Sequence, residues 1–93
     1  MAKLTPEEAQ SRLEALSGWI LDGDTLRKTF VLNSFPGVIA LVTHIGFLAE
    51  AANHHPDLDI RYNKLTVVLT THDAGGLTEK DFDLAAQMDE LMV

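Results

Sequence analysis

Histidine is the side chain best suited to moving protons near neutral pH, because its unperturbed pKa is about 6.5. The chain holds four, His44, His54, His55 and His72. His54 and His55 are adjacent and precede Pro56, and His72 precedes the loop Asp73-Ala74-Gly75-Gly76. Three imidazoles around one pocket can supply a general acid, a general base and a binding donor. Carboxylates lie near them: Glu50 stands one helical turn before His54, and Asp57, Asp73 and Asp81 flank the group. Glu50 and His54 share a face at i, i+4 spacing if the helix runs through both. A carboxylate that accepts a hydrogen bond from an imidazole fixes which ring nitrogen carries the proton.

Each of these residues also has a plainer structural reading. A histidine pair before proline is an ordinary polar helix exit, and a histidine at a strand end is an ordinary solvated residue. His44 falls mid-helix, off the apolar stripe, and reads as structural or surface. Asp81 is fully explained as a helix-capping acid, Glu50 as an exposed helix residue and Trp19 as core. A tryptophan beside a turn can also wall a pocket for a flat ring. A divalent metal is the sharper rival for the histidines. Adjacent histidines diverge, whereas helical ligand pairs stand at i, i+3 or i, i+4. The spacing therefore disfavours a metal, and no cofactor is expected.

The elements that must position these residues follow from local patterns. Thr5, Pro6 and Glu8 form a helix start with a capping box, and Ala9, Leu13 and Leu16 share a face up to Gly18. Residues 19–21 and 26–32 read as two strands around the turn Asp22-Gly23-Asp24, with Lys28 out of pattern on the apolar side. Asn33-Ser34-Phe35-Pro36 opens the longest helix, running to about Asn53, with Pro56 stopping any continuation. Residues 58–62 and 65–72 read as a third and a fourth strand around Asn63-Lys64, the fourth central or covered. Thr78 and Asp81 cap a last helix that runs to the C-terminus. The order α-β-β-α-β-β-α predicts a single α+β domain over residues 1–93, a four-stranded antiparallel sheet with three helices on one face. If the last two strands form a hairpin, His54-His55 and His72 meet at one rim of the sheet.

Composition narrows the classes. A chain of 93 residues fits one domain, and a domain this small with 46% apolar residues is expected to complete its core by self-association. There is no cysteine, which removes disulfide scaffolds and zinc ribbons. The net charge of −7 disfavours direct nucleic-acid binding. The acidic N-terminal segment does not resemble a signal peptide. No apolar run is read as approaching the roughly 20 residues of a membrane span, so the cytoplasm and no membrane contact are expected.

The stretch Glu50-Ala51-Ala52-Asn53-His54-His55-Pro56, followed at set intervals by Tyr62, His72 and Asp81, resembles the signature of the pterin-4a-carbinolamine dehydratases. Gly18-Trp19, Tyr62-Asn63-Lys64 and the segment 71–78 match as well, so the resemblance covers most of residues 18–85. It implies dehydration of 4a-hydroxytetrahydropterin to quinonoid dihydropterin, in recycling of the pterin used by aromatic amino-acid hydroxylases. It implies His54 and His72 as general acids, His55 as a binding residue that assists as base, and Glu50 as base or orienting group. Asn53, Thr70, Thr71 and Asp73 are implied pterin contacts, with Trp19 near the site and Asp81 supporting His72 or its loop. Homodimers formed through the sheets, or homotetramers of such dimers, are implied. Some members are dimerisation cofactors of a homeodomain transcription factor, and a role in molybdopterin metabolism is a further possibility. Asn53 stands where some members carry aspartate.

Overall fold

The computed structural model describes residues 2–92. Helix α1 (Pro6–Leu13) starts where its capping residues place it. The Thr5 hydroxyl accepts from the Glu8 amide (3.1 Å) and the Glu8 carboxylate accepts from the Thr5 amide (2.8 Å). It ends more than a turn before Gly18, where sequence reasoning put its end. The Ser17 carbonyl turns instead to the Lys28 ammonium at 2.8 Å. Gly18 sits at φ 82°, and a Cβ there would lie 3.1 Å from the Lys28 side chain.

Strands β1 (Ile20–Asp22) and β2 (Thr25–Val31) form the first hairpin. The out-of-pattern Lys28 belongs on the inner face. Its ammonium bonds Asp89 at 2.7 Å and lies over the Phe30 ring, 4.8 Å from the centroid, so the charge enters the core edge already partnered.

Helix α2 (Phe35–Ala52) is capped by Ser34, whose hydroxyl accepts from the Gly37 amide. Val38, Leu41, Ile45 and Ala49 recur at helical spacing and are its buried stripe. One expectation needs correction. This helix, 18 residues at mean hydropathy 1.6, is long and apolar enough to cross a membrane by length and composition. Four of its apolar side chains instead pack into the protein's own core.

Strands β3 (Asp57–Arg61) and β4 (Lys64–Leu69) form the second hairpin. Its turn falls on Tyr62-Asn63, with Tyr62 at φ 52°. The sheet order is β1-β2-β4-β3, all antiparallel, so β4 is central and β3 is an edge. Strand β4 stops at Leu69 rather than reaching His72. Thr71 makes a single bridge to Gly76, and His72–Ala74 form one turn of 3-10 helix. Helix α3 (Glu79–Glu90) follows. Leu26 and Phe30 of β2, and Leu65, Val67 and Leu69 of β4, form one buried layer with Val38, Ile45, Leu84, Ala85 and Met88 of the helices. Most of these side chains are wholly removed from water, each stabilising by about 1.5–3 kcal/mol before entropy is charged against it.

Candidate active site

The pairing Asp57↔Val68 brings the end of α2 beside the end of β4, and α3 begins shortly after β4. Three chain segments therefore meet at one rim. The helix exit decides what each histidine does there. Asn53 caps α2 in the left-handed region (φ 51°, ψ 45°), with its amide bonded back to the Ala49 and Glu50 carbonyls. Asparagine tolerates this conformation better than most residues. The reversal sends the two neighbouring imidazoles apart. His54 is 8% exposed, while the His55 side chain is 63% exposed.

His54 Nε2 lies 2.5 Å from Asp81 Oδ1, and His55 Nε2 lies 2.9 Å from Glu50 Oε1. Glu50 thus partners His55 rather than His54. The i, i+4 relation fails because the helix ends at Ala52 and Asn53 redirects the chain. Asp81 is wholly buried. It completes the α3 capping box through the Thr78 amide (2.9 Å to Oδ2) and accepts from the Thr71 hydroxyl (2.8 Å). The Thr71 and Thr78 hydroxyls are 2.8 Å apart. Asp81 therefore touches the His72 loop through Thr71, but the imidazole it holds is His54, not His72.

This network sets the tautomer of His54. An Asp81 carboxylate can only accept, and with it the contact assigns the proton to Nε2. Nδ1 is left as an acceptor in the neutral ring and a donor in the charged one. The buried side chains around it leave no polar atom without a partner among the described residues, so the assignment costs no unsatisfied group.

A cavity of about 260 Å³ opens at this rim, lined by Asn53, His54, His55, Thr70, Thr71, His72, Asp73 and Lys80. Every implied pterin contact except Trp19 is here. His72 and Asp73 are exposed, and among the described residues neither side chain makes a hydrogen bond. Thr70 bonds the Asp24 carbonyl at 2.7 Å, which ties the rim to the β1–β2 turn. A larger hollow of about 350 Å³, lined by Leu32, Leu41, His44, Leu91 and Met92 among others, holds a single histidine and no carboxylate. Size therefore does not pick the site; chemistry does. His44 is exposed on that other surface. Among the described residues, no three His, Cys, Asp or Glu side chains are grouped to hold a metal ion.

Trp19 lies elsewhere. It is 5% exposed, its indole N–H donates to Asp89 at 3.0 Å, and its ring meets Phe30 edge-on at 6.0 Å. Asp89 is near the end of α3 and Asp81 in its first turn. Eight residues of helix, about 12 Å, thus separate the tryptophan's anchor from that of His54. Pro56 is half-buried and does not line the cavity. Lys80 was missed from sequence. The signal was there: it precedes Asp81 in the first turn of a helix whose cap, Thr78, belongs to the same network. On its other side, Glu79 bonds Arg12, and those hydrogen bonds hold the Glu79 carboxyl below its ordinary range.

The profile of the pterin 4 alpha carbinolamine dehydratase family matches residues 2–91. A protein of Roseiflexus sp. (strain RS-1), provisionally named pterin-4-alpha-carbinolamine dehydratase, is 60% identical over 90 residues, 97% of each chain. One of the same provisional name from Sulfurisphaera tokodaii is 44% identical over 92 residues, 99% of each chain. A transcriptional coactivator/pterin dehydratase from Brucella melitensis superposes with TM-score 0.92 at 32% identity, covering 96% of this chain and 97% of that one. A pterin dehydratase-like RuBisCO assembly factor of the alpha-carboxysome shares the fold at TM-score 0.69 and 23% identity, covering 81% and 89%.

Proposed function

The chain belongs to the pterin-4a-carbinolamine dehydratase family, and on that premise we propose that it dehydrates a 4a-hydroxytetrahydropterin by histidine acid–base catalysis, without a metal. The observation that carries this reading is the convergence of His54, His55 and His72 on one cavity from two separate segments. The reaction breaks the C4a–O bond. Hydroxide is a poor leaving group, so an acid must protonate it to water, while a ring nitrogen gives up a proton as the C=N bond forms.

In this reading His54 and His72 are the acids. His54 works from Nδ1, with Asp81 behind it accepting the Nε2–H hydrogen bond in either charge state. His72 is free to turn toward the substrate. His55, oriented by Glu50, binds and assists as base. Asn53, Thr70 and Asp73 contact the flat ring, and Thr71 acts through Asp81 rather than on the pterin. The enzyme works in the cytoplasm, in pterin recycling for an aromatic amino-acid hydroxylase. It is a homodimer joined at β3, the longer of the two unpaired edge strands. A two-fold register centred on Ile60 would set Asp59 against Arg61 of the second copy in both directions. A purely regulatory or binding role is the alternative, suggested by the coactivator and assembly-factor names of the two structural neighbours. A set of three histidines at one cavity, one of them held by a buried carboxylate, favours the enzyme.

Stopped-flow dehydration of a 4a-hydroxytetrahydropterin tests the reading. His54→Ala and His72→Ala should each slow it by roughly 10²–10⁴, and a chelator should leave the native rate unchanged. Native rates in both variants, or a rate abolished by chelation, would remove the assignment.

A further inference from the structure

Lys80 is a cation at the histidine cavity that the proposed chemistry does not use. Of the seven basic residues, Lys3, Arg12, Arg27, Lys28 and Arg61 each have a carboxylate partner. Among the described residues, Lys64 and Lys80 have none; of these two Lys80 lines the cavity, and it stands between two acids. Both are committed elsewhere. Glu79 is taken by the Arg12 guanidinium, with Nε 2.9 Å from Oε1. Asp81 is turned inward to His54, Thr71 and the Thr78 amide. Asp73, which lines the same cavity, is not within salt-bridge reach of it either. In a chain of net charge −7, a lysine with free acids nearby would pair with them. Here the neighbours' other commitments leave the ammonium of a cavity-lining residue unpaired.

We propose that Lys80 is a specificity-determining residue that receives an anionic group on the side chain of the pterin, so that the site prefers pterins carrying a carboxylate or phosphate over neutral ones. The inference rests on the pterin reading of the cavity. The two fixed charges divide the ligand between them. Asp73 suits the amino and ring N–H donors of the pyrimidinone edge, and Lys80 suits an acceptor bearing charge. Without Lys80, the acidic surface would repel such a ligand.

Pterins fluoresce, so binding can be titrated directly on the full chain without turnover. Two matched pairs serve as probes: pterin-6-carboxylate against 6-hydroxymethylpterin, and neopterin monophosphate against neopterin. The native protein should bind at least one anion about tenfold more tightly than its neutral partner, the size of one charge-assisted hydrogen bond. The preference should shrink as salt is raised. Lys80→Gln should erase the preference while leaving neutral-pterin affinity unchanged, and Lys80→Arg should retain it. Which anion wins tells carboxylate from phosphate. Equal native affinity within both pairs, or a preference that survives Lys80→Gln, overturns the assignment of Lys80 alone. Failure of all four pterins to bind overturns the pterin site itself.

Discussion

Replacing Asp81 by asparagine separates the two tasks that its carboxylate performs. The side chain is wholly buried, with Oδ1 toward His54 and Oδ2 toward the Thr71 hydroxyl and the Thr78 amide. In Asp81→Asn the amide oxygen can keep the two Oδ2 contacts, so the cap on α3 survives. The amide nitrogen then faces His54 Nε2, donor against donor, and the ring relieves this by moving its proton to Nδ1. The cost to folding is the difference between charged and neutral hydrogen bonds, about 1–3 kcal/mol. A domain with about 5–15 kcal/mol of stability tolerates that loss. The catalytic cost is larger, because the acid form of His54 carries protons on both nitrogens, and an amide N–H facing Nε2 opposes that charged ring where the carboxylate supported it. A fall in kcat of roughly 10²–10⁴ is expected, as when the carboxylate behind a catalytic histidine becomes an amide. Urea unfolding reports the first quantity and stopped-flow dehydration the second, while imidazole nitrogen NMR shows which nitrogen of His54 holds the proton. Two results would refute the reasoning: a folded variant with the shifted tautomer and native kcat, or an Nε2 proton that stays in place.

Two further expectations follow from the same contacts. Trp19→Phe removes the indole bond to Asp89 and should lower the unfolding free energy by about 1–2 kcal/mol while leaving KM and kcat unchanged. A rise in KM at unchanged stability would return the tryptophan to the pterin site. At the β3 edge, Arg61→Asp should raise the concentration at which the chain dimerises in sedimentation runs, and adding Asp59→Arg should restore it. Indifference to both changes would mean that the copies meet elsewhere or in another register.

Much of the scaffold could be read before any coordinates, because local chemistry dictated it. Thr5 with Glu8, and Thr78 with Asp81, each announce a helix start, and both capping boxes form. The apolar content of β4 on both faces marked it as central or covered, and the meeting of His54-His55 with His72 followed from one hairpin. What escaped was set by partners distant in sequence. The path of the chain beyond α1 is tied at the Ser17 carbonyl to Lys28, which lies in another element. The choice of imidazole by each carboxylate depends on the backbone angles of Asn53, a position that helical spacing treats as one more turn. Trp19 matched a family position near the site, yet its anchor Asp89 is 70 residues away, beyond any local pattern. Lys80 became visible only when the claims on Glu79 and Asp81 were known.

The left-handed step at Asn53 gives two neighbours in the chain opposite freedoms to vary. The inner imidazole is bound into the interior, so a replacement there leaves one oxygen of a buried carboxylate without its partner and costs stability as well as chemistry. The outer one stands in water beside an exposed acid, where substitution leaves the architecture indifferent. Drift in this lineage should therefore be lopsided: new substrates, or the loss of turnover altogether, can be explored through position 55 while position 54 stays frozen.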